Sequence, residues 1–155
     1  MDYTKLLNEF YYGGSDEDDD ELYSDVEAFL KSTDSKEALH AFATEHNYDD
    51  GYEIPEMIID NPNCDLATAL TIFYDIEGIN YLLEGKNADI YEKESYALFQ
   101  IIQKHVYEGF YTESGEIQFI VPLTKAQVYQ IKKAGLKEKD YVFIKNIEVN
   151  DNRKD

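Results

Sequence analysis

Paired cysteines are absent from this 155-residue chain, which has only Cys64, and that excludes an internal disulfide. No apolar run approaches the roughly 20 residues that a membrane-spanning helix needs. Basic residues are scarce: 14 Lys and Arg stand against 33 Asp and Glu, a formal net charge of -19. Direct binding to nucleic acid needs clustered Lys and Arg against phosphate, so that class of partner is excluded on charge. With no basic-then-apolar leader ahead of Asp2 and a lone thiol, the chain is expected to work in a reducing cytoplasm.

What is present is apolar area: 43% of residues are hydrophobic and 14 Tyr and 8 Phe are spread along the chain. Acidic disordered chains lack such residues, so a folded body is expected, and 155 residues fit one domain. The charge is lopsided. Residues 1–78 hold 21 acids and 3 bases, net -18, whereas residues 79–155 hold 12 acids and 11 bases, net -1. A one-sided field attracts an oppositely charged partner and raises its association rate, which uniform acidity does not.

Periodicity predicts mostly helix. Leu6, Leu7, Phe10 and Tyr11 share a side of a first helix over 2–12, stopped by Gly13-Gly14; Leu22, Val26, Phe29 and Leu30 mark a second. Ser32 to Asp34 breaks that helix and offers caps for a third, with Ala38, Leu39, Phe42 and Ala43 inside and Asn47 closing it. Tyr48 to Glu53 reads as a tight turn, and Ile54-Pro55 opens a short helix that Asn61-Pro62 ends. A helix from Asp65, carrying Ala67, Leu70, Phe73 and Tyr74 on one face, is expected to be central. A short helical segment over 79–83 and a loop over 85–89 precede the longest predicted helix, over 91–111. Alternation over 116–123 and 141–149 predicts two strands flanking a helix over 124–134. The expected fold class is therefore mainly α, a multi-helix domain with a small C-terminal β-hairpin-like element, with residues 13–21 as a flexible acidic loop and 150–155 as a flexible tail.

Enzyme signatures are few. His40 and His46 lie six apart, on opposite sides of a helix rather than on one ligand-bearing face. A Cys64 nucleophile with His46 and Asp65 would need positive surroundings to form its thiolate, and this half of the chain has three bases. Carboxylate pairs such as Asp49-Asp50 arise by chance among 33 acids, and Gly13-Gly14 runs into carboxylates that repel phosphate. Numbered from Asp16, oxygen ligands fall at calcium-loop positions 1, 3, 5, 9 and 12 (Asp16, Asp18, Asp20, Ser24, Glu27), but position 6 is Glu21 where the turn needs glycine. Neither a metal nor a cofactor is assigned.

The stretch His46 to Leu83 contains Asn47-Tyr48-Asp49-Asp50-Gly51, then Asn61-Pro62-Asn63-Cys64-Asp65-Leu66-Ala67-Thr68-Ala69-Leu70, then an aromatic-rich helix ending near Tyr81-Leu82-Leu83. It resembles a bacterial family of unknown function whose members carry an Asn-aromatic-Asp-Asp-Gly turn and an Asn-Pro-x-Cys-Asp-Leu-x-Thr-Ala-Leu stretch. The aromatic of that turn is usually Trp in the family and is Tyr48 here, so no role that needs an indole carries over. Families of this kind look similar to immunity proteins encoded beside bacterial toxins. The likeness implies a non-enzymatic protein that neutralises a basic cognate toxin by covering its active site; an adaptor for some other basic partner has the same physical requirements, and an enzyme of unfamiliar type is the remaining alternative. The residues expected to meet such a partner are Asp16, Asp18, Asp19, Asp20, Glu21, Tyr23, Asp25, Tyr48, Asp49, Asp50 and Tyr52, since tyrosine suits an interface core and charge suits its rim.

Overall fold

Eight α-helices order the chain in the computed structural model, which describes residues 2–13 and 18–150. They are α1 (Tyr3–Tyr12), α2 (Asp19–Ser32), α3 (Lys36–Glu45), α4 (Glu53–Asp60), α5 (Leu66–Asp75), α6 (Gly78–Glu84), α7 (Lys93–Tyr107) and α8 (Lys125–Lys133), with 3-10 turns at Tyr48–Asp50, Gly85–Asn87 and Glu138–Ile144.

Helix α5 is central, as its composition predicts. Seven of its ten residues are buried, and it packs against α3, α4, α6 and α7. Ala67 and Ala69 leave neighbouring backbones room to approach, while Leu70, Ile72 and Phe73 fill the space beyond them. Asp65 caps the helix by accepting from the Ala67 N–H at 3.1 Å, and it also accepts from Ser114 N–H at 2.9 Å. The side chain that starts α5 therefore also fixes the chain that leaves α7. At the other end of α5, Glu77 takes a left-handed φ of 58° and hands over to Gly78, where a Cβ would stand 2.5 Å from the Phe73 ring.

Around this centre α1 lies on α2 and α3, and α2 lies on α4. Asn61, buried at the end of α4, donates to the carbonyls of Leu30 (2.8 Å) and Thr33 (3.0 Å), so one amide joins the ends of two helices. Cys64 is wholly buried beside it, as a small soft side chain ahead of an apolar helix is expected to be.

Two expectations are corrected. The first is the C-terminal hairpin: no sheet forms among the described residues. Between residues 116–123 and 141–149 the backbone pairing is a single antiparallel bridge, where Phe119 and Ile147 exchange both backbone hydrogen bonds (2.9 and 2.8 Å), with Val121 N–H donating to Asn146 Oδ1 beside it (2.8 Å). Tyr141 to Ile144 coil instead into the 3-10 turn, placing Phe143 flat on Phe73 with ring centroids 4.6 Å apart. Burial of that ring against the core outweighs strand propensity. The second is the end of the acidic loop, residues 18–21, the part before it at 14–17 lying outside the described residues: Asp18 is the N-cap of α2, accepting from Asp20 N–H at 2.7 Å, and Asp19, Asp20 and Glu21 form its first turn, where the positive helix end favours carboxylates. The calcium-loop spacing fails for the same reason, since Asp20, Ser24 and Glu27 lie along continuous helix. Asp16 lies outside the described residues. So do the tail residues after Asn150, whose own N–H donates to Gly115 O at 2.7 Å.

Candidate functional site

Helix α2 packs on α1, with Leu22 and Val26 buried in the same core cluster as Leu6 and Leu7 and the Tyr23 ring 6.2 Å from that of Phe10. This brings Asp19 and Asp20 across from Glu9. The chain then returns after α3, where Asn47 caps the Tyr48–Asp50 turn through Asp49 N–H (3.0 Å) and Gly51, at φ 105°, reverses direction into α4. That reversal delivers Asp50 and Glu53 to the same place.

The result is a cleft of about 490 Å³ whose walls carry Glu9, Asp19, Asp20, Asp50 and Glu53 and, among the described residues, no lysine or arginine. Its floor is aromatic. Phe10 meets Tyr11 edge-on at 4.9 Å and Tyr23 at 6.2 Å, and Tyr11 meets the His46 ring at 6.2 Å. His46 is held at both nitrogens, within 3.3 Å of the Tyr11 hydroxyl and 2.8 Å of Gly51 O. Burial pushes the Tyr11 hydroxyl well above the usual tyrosine range, and Asp50 and Glu45 add to the shift. Tyr23 is raised as well, by burial first and then by Glu53 and Glu27. The tyrosines thus remain neutral donors among carboxylates.

The aromatic row continues from His46 to Tyr48 (4.8 Å) and on to Tyr52 (5.8 Å). There it borders a second, smaller recess of about 90 Å³ with Asp75, Glu77 and Glu92 in its wall. Tyr52 donates to Glu92 at 3.2 Å, whereas the buried Tyr48 hydroxyl has no hydrogen-bond partner among the described residues. Partial burial at the end of α5 pushes the Asp75 carboxyl up to about 6.

Of the residues singled out from sequence, Asp19, Asp20, Tyr23 and Asp50 line the larger cleft, and Tyr48 and Tyr52 line the smaller. Asp18 is engaged in capping. Glu21, Asp25 and Asp49 are exposed outside both clefts. Glu9, Phe10, Glu53, Asp75, Glu77 and Glu92 were not among the expected contact residues. They are isolated acids or helix-face aromatics in sequence: the packing of α1 on α2 and the Gly51 reversal bring Glu9, Phe10 and Glu53 to the larger cleft, and the end of α5 and the approach to α7 bring Asp75, Glu77 and Glu92 to the smaller.

The lysines of the acidic half are partly engaged elsewhere: Lys31 pairs with Glu27 at 3.1 Å and Lys36 with Glu116 at 2.8 Å. No group of three or more His, Cys, Asp or Glu among the described residues is arranged to hold a metal ion. Cys64, His46 and Asp65 do not form a catalytic set. Burial pushes the Cys64 thiol far up, His46 bonds Tyr11 and Gly51, and Asp65 caps α5.

A family model described as a Domain of unknown function (DUF4274) matches residues 34–108, from just before α3 to just past α7. No curated protein and no solved structure matches the chain. Asp50, Glu53, His46, Tyr48 and Tyr52 lie inside the matched region, whereas Glu9, Phe10, Tyr11, Asp19, Asp20 and Tyr23 lie outside it. The larger cleft is therefore built mostly from the two helices that precede the matched region, with His46, Asp50, Glu53 and Ile54 contributed from inside it. Among the described residues, no helix is long and apolar enough to cross a membrane.

Proposed function

We propose that the chain is a binding protein that captures a basic partner in the α1–α2 cleft, acting in the cytoplasm as an immunity protein that occludes the active site of a cognate bacterial toxin. The observation that carries this reading is the convergence of Glu9, Asp19, Asp20, Asp50 and Glu53, with no lysine or arginine among the described residues, over Phe10, Tyr11 and Tyr23. Rigid aromatic anchors supply apolar contact, and the surrounding carboxylates steer and orient a cationic surface. A Lys or Arg side chain entering the cleft would lay its alkyl stem on the tyrosine rings and bring its head among carboxylates. A toxin whose own cleft is lined by such cations, for example to hold a nucleic-acid substrate, would be blocked at that cleft.

The test uses the product of the neighbouring reading frame, if it carries a basic domain. Its association rate with this chain is expected to fall steeply between about 10 mM and 150 mM salt, where the screening length shortens from roughly 30 Å to 8 Å. The variant carrying Asp19→Asn, Asp20→Asn, Asp50→Asn and Glu53→Gln is expected to associate at least about tenfold more slowly at low salt. A rate indifferent to salt and to these substitutions would refute electrostatic capture.

A further inference from the structure

Residues 46–54 are a wall shared by two recesses. His46, Asp50 and Glu53 line the α1–α2 cleft, while Tyr48 and Tyr52, interleaved with them in sequence, line the smaller recess. The divide is thin, since the His46 ring meets the Tyr48 ring edge-on at 4.8 Å. The remaining carboxylates of the smaller recess come from three places: Asp75 ends α5, Glu77 lies in the link to α6, and Glu92 precedes α7. Among the described residues no lysine or arginine lines it.

Several of its polar groups are left in states that a cation would relieve. The Tyr48 hydroxyl oxygen is buried without a hydrogen-bond partner among the described residues, an arrangement that a folded protein normally avoids. Burial raises this hydroxyl far above the ordinary tyrosine range, and the charge of Asp75 is the next cause, which places that carboxylate close to the unpartnered oxygen. Asp75 itself is held up to about 6 by burial, with no positive group acting on it. Glu77 is the one non-glycine among the described residues with a positive φ, 58°, a backbone conformation that costs energy. Only Glu92 is engaged, accepting from the Tyr52 hydroxyl at 3.2 Å.

We infer that the smaller recess is a second cation subsite, taking the ammonium of a lysine from the same basic segment whose first cation enters the α1–α2 cleft. The inference rests on the proposed function and adds to it the type and spacing of the partner's side chains. A volume of about 90 Å³ equals the share of about three water molecules, enough for an ammonium and its last methylene. The ammonium brings three rotatable donors, which Asp75, Glu77 and the Tyr48 oxygen can accept, whereas the broad planar fork of a guanidinium exceeds the space. Ring-to-ring steps from Tyr11 to His46, Tyr48 and Tyr52 are 6.2, 4.8 and 5.8 Å. An extended segment rises about 3.3 Å per residue, so the two cations stand no more than about five residues apart.

The probes are labelled Gly-Ser peptides carrying one lysine, two lysines three to five residues apart, or two arginines at the same spacings, measured against the intact protein at low salt. The best two-lysine peptide is expected to bind about tenfold or more tighter than the one-lysine peptide and than its two-arginine counterpart, with amide shifts at residues 48–52, 75–77 and 92 that the one-lysine peptide does not produce. Asp75→Asn with Glu77→Gln, and separately Tyr48→Phe, are each expected to remove most of that gain while leaving the one-lysine affinity within about twofold; thermal melts check that both variants fold. Asp20→Asn with Glu53→Gln is expected to weaken every peptide. A two-lysine peptide no tighter than the one-lysine peptide, a gain that survives Asp75→Asn with Glu77→Gln, or an equal gain from two arginines would overturn the inference and leave the proposed function standing. Failure of the one-lysine peptide to respond to Asp20→Asn with Glu53→Gln would instead count against the proposed function, and the inference would fall with it.

Discussion

Single polar side chains in this molecule hold helix ends together, and their loss is measurable. Asn61 serves two backbone carbonyls of the α2 terminus and also accepts from Asn63 N–H at 2.8 Å. Asn61→Ala strands the buried carbonyls and is expected to cost about 2–3 kcal/mol in urea or guanidinium unfolding. Asp75 acts in the opposite sense. Its folded value of about 6 lies above the ordinary aspartate value of 3.8, so the native state holds this proton more tightly than the unfolded chain does. The contribution of Asp75 to stability is therefore full below about pH 4 and declines as pH rises through 6. Asp75→Asn is expected to stabilise the protein at pH 7 by about 1 kcal/mol, reduced from the full linkage value because the carboxylate still meets solvent. At pH 4 the variant and the parent should melt together. Thermal melts at the two pH values read the difference.

At the scale of elements, α8 behaves differently from the other helices because none of its residues is fully buried, only Val128 and Ile131 being half-buried. Thr124→Ala removes one half of its capping box and is expected to cost the helix about 1 kcal/mol. That loss should appear as faster amide exchange over 125–133 while the global unfolding midpoint barely moves. The same substitution type at the buried Asp65 cap would register globally, because α5 is the helix around which the others pack. The contrast also shows which elements could be read from sequence. The helices were legible where apolar residues recur at 3.6-residue spacing beside a cap or breaker: Asp65 before α5, Asn61-Pro62 after α4, Thr124 before α8. The strands were not. Alternation of Ile117, Phe119 and Val121 with Gln118 and Ile120 reports correctly which side chains turn inward, for Ile117 and Phe119 are buried and Ile120 is 57% exposed. It says nothing of whether a partner backbone runs alongside, and here the partner is drawn into a 3-10 turn by Phe143 stacking on Phe73. The candidate site was legible only in part for a similar reason. The acidic run and the Asp49-Asp50-Gly51 turn stand out as local composition, but Glu9 and Glu53 gain significance only from the apposition of α1, α2 and the start of α4.

Considered as a whole, the molecule has an anionic, aromatic recess formed near its N-terminus and a partly apolar one of mixed charge, with Glu84, Lys137, Lys139 and Asp140 in its wall, formed near its C-terminus, attached to a common helical centre. The family match covers that centre and stops short of most of both recess walls, since α1, the start of α2 and α8 fall outside residues 34–108. A further property follows from how residues 111–147 are threaded. After α7 the chain is fastened by Tyr111, whose hydroxyl donates to Ile59 O at 2.8 Å, and by Ile117 and Phe119 in the core. It then leaves for α8 and comes back to be fastened again by Phe143, Ile144 and Ile147, with Tyr74 donating to Phe143 O at 2.6 Å. Helix α8 is thus an excursion between two moorings, and it carries lysines that trypsin recognises. Brief digestion is expected to cut within 125–139 first, giving two fragments on a denaturing gel that still elute as one particle under native conditions. Such a nicked protein, severed in its covalent chain yet undivided in space, would locate the continuity of this fold in its buried side chains rather than in its peptide bonds.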